Sequence, residues 1–516
     1  MAIQSERQEK LKQVSPISIP WHNKSLLLAG TLILLFLTAL AIRLERVEAP
    51  SSIPAREFHS AFLARSFYYE GNEDIQDWQR EAAFTSRQRL GTLEPPILEF
   101  AVAAIYGLVG GEHLWIAKML TSILWIVGGI FLYKISRKLM PVGTAIFVTG
   151  CYLLTPLGIL TSRSFQPESF MIMLFLASLL TILRHDEQAT LSRLVLAASV
   201  TGFCLLVKPM PVFVLFSAFT ALALNRHATL RRIIDRQFVL FVSLSLLPSI
   251  LYYGYGMFAS GFLFWKVGDS FRPWLLLHRQ YWTGWFDLAT NGVGFVALLA
   301  ALLGLPLQRS GRDRTLMIAL WLGYVAFGLV FNFHIHTHGY YHVQLIPIVA
   351  LSFAPVVTLL IAHFTRTISS WYWWLPVAGV LGILIFSSAR EIRLRLNTVT
   401  FESERIAREV GATVEHNSRV VHVALEYGLP LEYYGEFSGA FWRKPVESQL
   451  YRSPGAQALS IEERLDNLGF TPEYFVITDF NGLEQRHPDL KQFLESHCSI
   501  IAERNVFLIY DGTCAQ

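Results

Sequence analysis

The chain has 516 residues, of which 53% are hydrophobic and 16% charged, with a mean hydropathy of +0.40. A soluble globular protein carries about 25% charged residues, so this chain lacks the polar surface needed to face water all round. Disorder and a collagen-like fibre are excluded, four cysteines are too few for a disulfide-stapled scaffold, and a net charge of +4 is too mild to suggest nucleic acid. The expected class is a polytopic α-helical membrane protein.

Arg7, Lys10, Lys12 and Lys24 precede an apolar stretch from Ser25 to Ile42, which Arg43-Leu44-Glu45-Arg46 follows. No small-residue cleavage site intervenes, so the stretch predicts an uncleaved anchor helix with its N-terminus inside. A first loop, 43–96, comes next. Within it, Ala55–Tyr69 sets Phe58 and Phe62 on one face, widened by Ala61 and Leu63–Ala64, among Arg56, Glu57, His59 and Arg65. This suits a helix lying in the membrane interface with its polar face toward a cavity, or one whose charges are merely solvated. Leu93-Glu94-Pro95-Pro96 places a carboxylate before two prolines. Pro95 biases Glu94 to extended backbone, although a helix start with an acidic residue at the dipole fits the fragment as well. Pro95–Val109 is too short to cross and predicts a shallow or re-entrant helix.

Further spans are predicted at about 114–133, 142–160, 169–183, 191–206, 211–224, 238–256, 292–306, 315–333, 343–362 and 371–388, about eleven in all. Lys134/Arg137/Lys138, Arg226/Arg231/Arg232/Arg236, Arg309/Arg312/Arg314 and Arg366 fall on the side of the N-terminus. The positive-inside rule makes that side cytoplasmic and puts the C-terminus outside. The expected place is the cytoplasmic (inner) membrane, with a membrane domain over 1–389 and an extracytoplasmic α/β domain over 390–516. In that tail, 419–424, 474–478 and 506–510 predict strands, while 402–416, 461–468 and 490–497 predict helices. Cys498 and Cys514 flank the last strand, where an oxidising compartment allows a disulfide.

Ionisable residues at membrane depth are costly and usually functional. Here they gather at outer ends: Arg56, Glu57, His59, Arg65 and Glu94 in the loop, then Arg163, Gln166 and Glu168, then Lys208, then His334, His336, His338, Tyr340, Tyr341 and His342. Each fragment has a plain alternative. Glu168 follows Pro167 at a helix start, where capping favours a carboxylate. Lys208, between Val207 and Pro209, is either a snorkelling anchor or a phosphate partner. The histidine spacing matches no strong zinc signature, so no metal ligand is assigned, and a divalent metal stays an open question.

The order of Arg56, His59, Ala64-Arg65, Phe67-Tyr68, Glu94, Pro96, Arg163, Pro167-Glu168, Lys208-Pro209, His338, Tyr340-Tyr341 and Pro347 resembles the family 39-like glycosyltransferases of the GT-C fold. These are the bacterial relatives of protein O-mannosyltransferases and aminoarabinose transferases, and the resemblance covers about residues 25–360. It implies a polyprenyl-phosphate sugar donor, an acceptor that is a glycan, lipid or protein, and inverting transfer on the outer face. It also implies a first-loop carboxylate that deprotonates the acceptor. The usual acidic residue falls here at His59 or Arg56, so Glu57, His59 and Glu94 are the catalytic candidates. Glu57 and His59 lie about 200° apart on a helix, so at most one faces the cavity. Arg56, Arg163, Glu168, Lys208, His338, Tyr340 and Tyr341 are the substrate-binding candidates. No cofactor is called for, and lipid is the only other expected partner. A transporter or flippase would need polar residues at the bilayer midplane and often paired repeats, and a scaffold binding through its tail is a third class.

Overall fold

The computed structural model describes residues 21–49, 53–227, 235–261, 263, 271–309, 311–367, 375–396, 401–442 and 459–515. Of the basic residues used for orientation, Arg7, Lys10, Lys12, Arg231 and Arg232, and the side chains of Lys24 and Arg366, lie outside that description.

Helix α1 spans Trp21–Leu44, and the first loop folds into α2 (Pro54–Glu70) and α3 (Asp77–Leu90). Pro54 sits in the first turn of α2, where its missing N–H is no loss. The short α4 (Ile97–Val109) starts immediately after the two prolines and ends at Gly110. Then come α5 (Leu114–Leu139), the pair α6 (Val142–Leu154) and α7 (Pro156–Ser162), α8 (Glu168–Glu187), α9 (Leu191–Val207), α10 (Val212–His227) and α11 (Arg236–Gly254). The pair α12 (Arg279–Val293) and α13 (Phe295–Leu307), then α14 (Arg312–Val330), the short α15 (Asn332–Ile335), α16 (Leu345–Ser352), α17 (Ala354–Thr367) and α18 (Leu375–Leu396) complete the bundle. A helix or helix pair overlaps every predicted span. Among the described residues, five helical segments are long and apolar enough to cross a membrane, or seven if each bent pair is one span. The others are shorter apolar helices.

Two bends escape the hydropathy pattern. Pro156 breaks α6 from α7 by 55°, and α12 meets α13 at 95°. Gly294 between the latter holds φ +88°, a conformation that a side chain resists, and α12 itself was not predicted. Loops at one end of the bundle are tied together by charge. Arg312 and Arg226 pair with Asp186 at 2.6 and 3.2 Å, and Lys138 with Glu187 at 2.5 Å. These residues all come from loops that the basic residues assign to one side.

Residues 401–515 form a separate layer. It contains α19 (Phe401–Thr413), β1 (Val420–Val423), α20 (Leu429–Gly435), β2 (Gly439–Phe441), α21 (Ile461–Asp466), β3 (Tyr474–Ile477), α22 (Phe480–Arg486), α23 (Pro488–His497), β4 (Ile500–Arg504) and β5 (Phe507–Asp511). The strand order is β2-β1-β3-β5-β4, with β1 parallel to β2 and β3, and the other pairings antiparallel. Alternate side chains feed two cores. Val420, Val476 and Ile509 pack under Ala407 and Val410 of α19 and Val414 just after it, whereas Val421, Phe475 and Tyr510 pack against Leu483, Leu490 and Leu494. The predicted strands are present, but β2 and β4 were not foreseen. Cys498 and Cys514 are joined by a disulfide across the last hairpin.

This layer sits on the first loop. Phe58 and Phe62 of α2 meet Tyr433 with ring centroids 4.9 and 5.5 Å apart, so the aromatic face expected to lie in lipid is covered by protein instead. Arg65 donates to Tyr433 O at 2.7 Å, pairs with Glu112 at 2.9 Å, and lies 3.6 Å from the Tyr433 ring centroid. Arg89 pairs with Glu432, and Trp78 stacks on His416.

Within the bundle, α14 approaches α10 closely at Gly323. A Cβ there would lie 2.5 Å from Val214 Cα and 2.7 Å from the Phe213 carbonyl oxygen. Small residues at such crossings allow backbones to pack. Gly323→Ala should therefore destabilise the detergent-purified protein by about 1–3 kcal/mol, the usual cost of overpacking. Gly379→Ala, with nothing within 4 Å, should leave the thermal unfolding midpoint unchanged. Equal midpoints for both variants would refute the close crossing.

Candidate active site

Four parts of the chain deliver charge to one point at the end of the bundle opposite Asp186. Arg56 stands in the first turn of α2 and donates through Nη2 to Glu94 Oε1 and Oε2 at 3.2 and 3.3 Å. Glu94 lies on the stiff segment before Pro95-Pro96, and its Oε1 is also 3.3 Å from Lys208 Nζ. Lys208 ends α9 in extended backbone just ahead of Pro209, and is 2% exposed. It also pairs with Glu168, the first residue of α8, whose N-terminal dipole favours a carboxylate. Tyr340 and Tyr341 close the site, their ring centroids 5.9 and 5.6 Å from Lys208 Nζ.

Burial on its own would raise the Glu94 carboxyl. Arg56, then Lys208 and His59, outweigh it and bring the carboxyl down to about 2. The neighbouring His338 ring is lowered as well. Burial, then Arg56, His336 and Lys208, lowers His338 to about 4, and its Nδ1 is 2.7 Å from Thr337 Oγ1. His334 stacks on Tyr341 at 4.9 Å between centroids. Both rings are therefore neutral near pH 7 and can act as hydrogen-bond partners without adding charge.

Arg56, Glu94, Glu168, Lys208, His338, Tyr340 and Tyr341 are thus brought together, and His59 lies near enough to Glu94 to act on its charge. Two candidates lie elsewhere. Glu57 is fully buried, 3.1 Å from Lys118 Nζ, and its Oε2 accepts from the Phe165 backbone N–H at 3.2 Å. The opposed faces of α2 explain the split: Arg56 and His59 share one side, and Glu57 turns to the other. Arg163 is no part of the cluster either. Its guanidinium donates to the carbonyls of Ile42, Arg43 and Arg46 at 2.9, 3.0 and 3.3 Å. Ile42 and Arg43 lie in the last turn of α1, whose carbonyls lack helical partners and where a cation also suits the dipole, and Arg46 lies just beyond it.

Glu99 was missed. It sits two residues into α4 and is 6% exposed, and Ser60 Oγ of α2 donates to its Oε1 at 2.7 Å. Burial pushes its carboxyl up to about 7, against the pull of the Ser60 hydrogen bond. A lone ionisable residue in the apolar run Ile97–Val109 was the available signal. Tyr252, on α11, faces the same carboxylates and bonds Thr92. Among the described residues, no group of three or more His, Cys, Asp or Glu is placed to hold a metal ion.

Residues 93–253, which contain Glu94, Glu99, Glu168 and Lys208, match the family model of dolichyl-phosphate-mannose-protein mannosyltransferases. The Bacillus subtilis (strain 168) protein YycA, provisionally named a mannosyltransferase, is 27% identical over 129 residues, which is 25% of this chain and 19% of YycA. ArnT from Cupriavidus metallidurans bound to undecaprenyl phosphate superposes with a TM-score of 0.56 at 13% identity, covering 94% of this chain and 98% of ArnT. The chain has the GT-C fold. An Archaeoglobus fulgidus oligosaccharyltransferase gives a TM-score of 0.51 at 10% identity, over 87% of this chain and 69% of the other. The resemblance to family 39-like glycosyltransferases expected from the sequence is thus matched by family model, relative and fold.

The placement of Arg163 makes it a cap for α1 rather than a ligand for an anion. Arg163→Ala should lower the unfolding midpoint of the GT-C bundle by several degrees, since it strips buried carbonyls of their donor. An unchanged unfolding midpoint would contradict the placement.

Proposed function

We propose that this protein is a glycosyltransferase that moves a sugar from a polyprenyl-phosphate donor to an acceptor on the outer face of the cytoplasmic membrane, with inversion at the anomeric carbon. The observation that carries the reading is the convergence of Arg56 and Lys208 on the single carboxylate of Glu94 beneath two tyrosine rings. Two cations sharing one acceptor are poised for a stronger anion. A lipid phosphate entering the site would take charge-assisted hydrogen bonds from both, while Glu168 keeps Lys208 in place. Tyr340, Tyr341 and His338 would line the sugar end, and Glu94, once displaced, would orient a hydroxyl. The undecaprenyl phosphate bound to ArnT supports the class of donor.

We read the fold as eleven crossings, with residues 43–96 and 390–516 outside. The support is the charge knot of Asp186 and Glu187, which ties loops of one assigned side together at the end away from Lys208. In right-side-out membranes, an impermeant maleimide should label Glu73→Cys and Glu495→Cys, and should spare Ala189→Cys until the membrane is permeabilised. Labelling of Ala189→Cys in sealed membranes, or protection of either other position, would overturn this topology.

The chemistry is tested by Glu94→Gln and Lys208→Ala. In cells lacking the gene, wild type should restore an envelope glycan that mass spectrometry finds missing, and both variants should restore it about 10²–10³-fold more slowly. Lys208→Ala should also weaken undecaprenyl phosphate binding by about tenfold or more, as expected for a lost charge-assisted contact. Wild-type rates for both variants would sink the site.

A further inference from the structure

The transfer needs a group to take the acceptor's proton, and the pairings around the site separate its carboxylates sharply. Glu57 is held by Lys118 and the Phe165 N–H, Glu168 by Lys208, Glu94 by Arg56 and Lys208, and Glu112 by Arg65. Each of these is bonded to a cation that an acceptor hydroxyl would have to displace. Glu99 differs in its partner. Its Oε1 accepts from the neutral Ser60 hydroxyl at 2.7 Å, and Arg56, the cation that acts on it, is spent on Glu94.

We propose that Glu99 is the general base of the transfer, taking the proton of the acceptor hydroxyl. The proposal rests on the glycosyltransferase reading above. Its geometry comes from the packing of α4 on α2. Ser60 lies one turn beyond Arg56 on α2 and one residue beyond His59, so the hydrogen bond from Ser60 holds the carboxylate on the side where Arg56 meets Glu94. Glu99 also lies five positions after Glu94, across the turn that Pro95 and Pro96 stiffen. Arg56 and the proton acceptor are thereby carried on two short helices in fixed register.

The step balances without any further reactant. The acceptor oxygen bonds to the anomeric carbon while that carbon's bond to the phosphate oxygen breaks. The bonding electrons leave with the phosphate, whose charge Arg56 and Lys208 receive. The acceptor proton passes to a Glu99 carboxylate oxygen and from there to water. A base whose affinity for protons lies near neutrality suits this task, because it is both deprotonated in the resting site and able to hold the proton it gains.

Arg56 and Ser60 on α2, Glu94 on the preceding loop and Tyr252 on α11 face Glu99, while His59 acts on Glu94 and Lys118 on α5 is turned to Glu57. Of these, Glu99 is the carboxyl that burial raises to about 7, and the imidazole of His59 is the other candidate proton acceptor, which sets the design of the test. Cells lacking the gene and re-expressing each variant report the rate of glycan return, and purified protein reports binding of undecaprenyl phosphate. Glu99→Gln should slow glycan return by about 10²–10³-fold, with membrane levels and undecaprenyl phosphate binding unchanged. Glu99→Asp should recover to within about tenfold of wild type. The wild-type rate should fall several-fold from external pH 8 to pH 6, and the residual Glu99→Gln rate should be flat over that range. Wild-type rates from Glu99→Gln would overturn the proposal. So would a Glu99→Gln protein that inserts poorly and gains no activity in the Asp variant, which would mark a structural carboxylate. Loss of both rate and pH dependence in His59→Asn, with Glu99→Gln active, would move the base to His59. Failure of the glycosyltransferase reading is distinct: the deletion strain would lack no glycan, or wild type would not bind undecaprenyl phosphate.

Discussion

A carboxylate shared between two cations is the constraint on which this end of the molecule depends. Burying Arg56 or Lys208 alone would cost several kcal/mol of lost hydration, and the pairing with Glu94 offsets that only while all three are held in register. The register comes from separate parts of the chain. Arg56 rides on the first loop helix, Glu94 on a proline-stiffened segment and Lys208 on the extended residue that ends α9. Each backbone device fixes one charge. The tyrosines of the 339–344 turn then exclude water from above, which strengthens every charge contact below them. A site assembled from such distant segments is rigid because none of its charges can relax alone.

The same logic separates structural charges from functional ones. Arg163 and Glu57 are as deeply buried as the residues of the site, yet each is fully used by its immediate surroundings. Arg163 supplies donors to the end of α1, and Glu57 completes Lys118. Burial and charge alone do not identify chemistry in a membrane protein. The distinguishing feature is a partner that an incoming ligand could displace.

Much of this was legible in the sequence. Apolar length located the bundle helices, because a spanning helix leaves a run that few other structures need. The order of Arg56, Glu94, Glu168, Lys208 and the two tyrosines pointed to residues that the structure brings together, because each stands at or near the end of an element on the same side of the bundle. What escaped depended on tertiary placement. Residues 279–293 carry too many polar groups to stand out, and only the bend at Gly294 reveals them as half of a helix pair. Phe58 and Phe62 gave an amphipathic face, but nothing local says whether lipid or Tyr433 will cover it. Arg163 matched a family pattern, and only the nearness of the α1 carbonyls shows where its donors go. Glu99 stood in an apolar run beside a more conspicuous carboxylate.

The seat of the 401–515 layer on α2 has a consequence for how the protein is made. Arg65 and its acceptor at Tyr433 are 368 residues apart in sequence. At a synthesis rate of about 5–20 residues per second, roughly twenty seconds to more than a minute separate the emergence of the two. Throughout that interval α2 has the cover of α4 and α5, through Leu98, Val102, Tyr106 and Ile116, but not that of Tyr433. The fit of the 401–515 layer on α2 can therefore form only after more than four-fifths of the polypeptide has been made. Until then Arg65 has Glu112 as its partner but neither the carbonyl nor the ring of Tyr433.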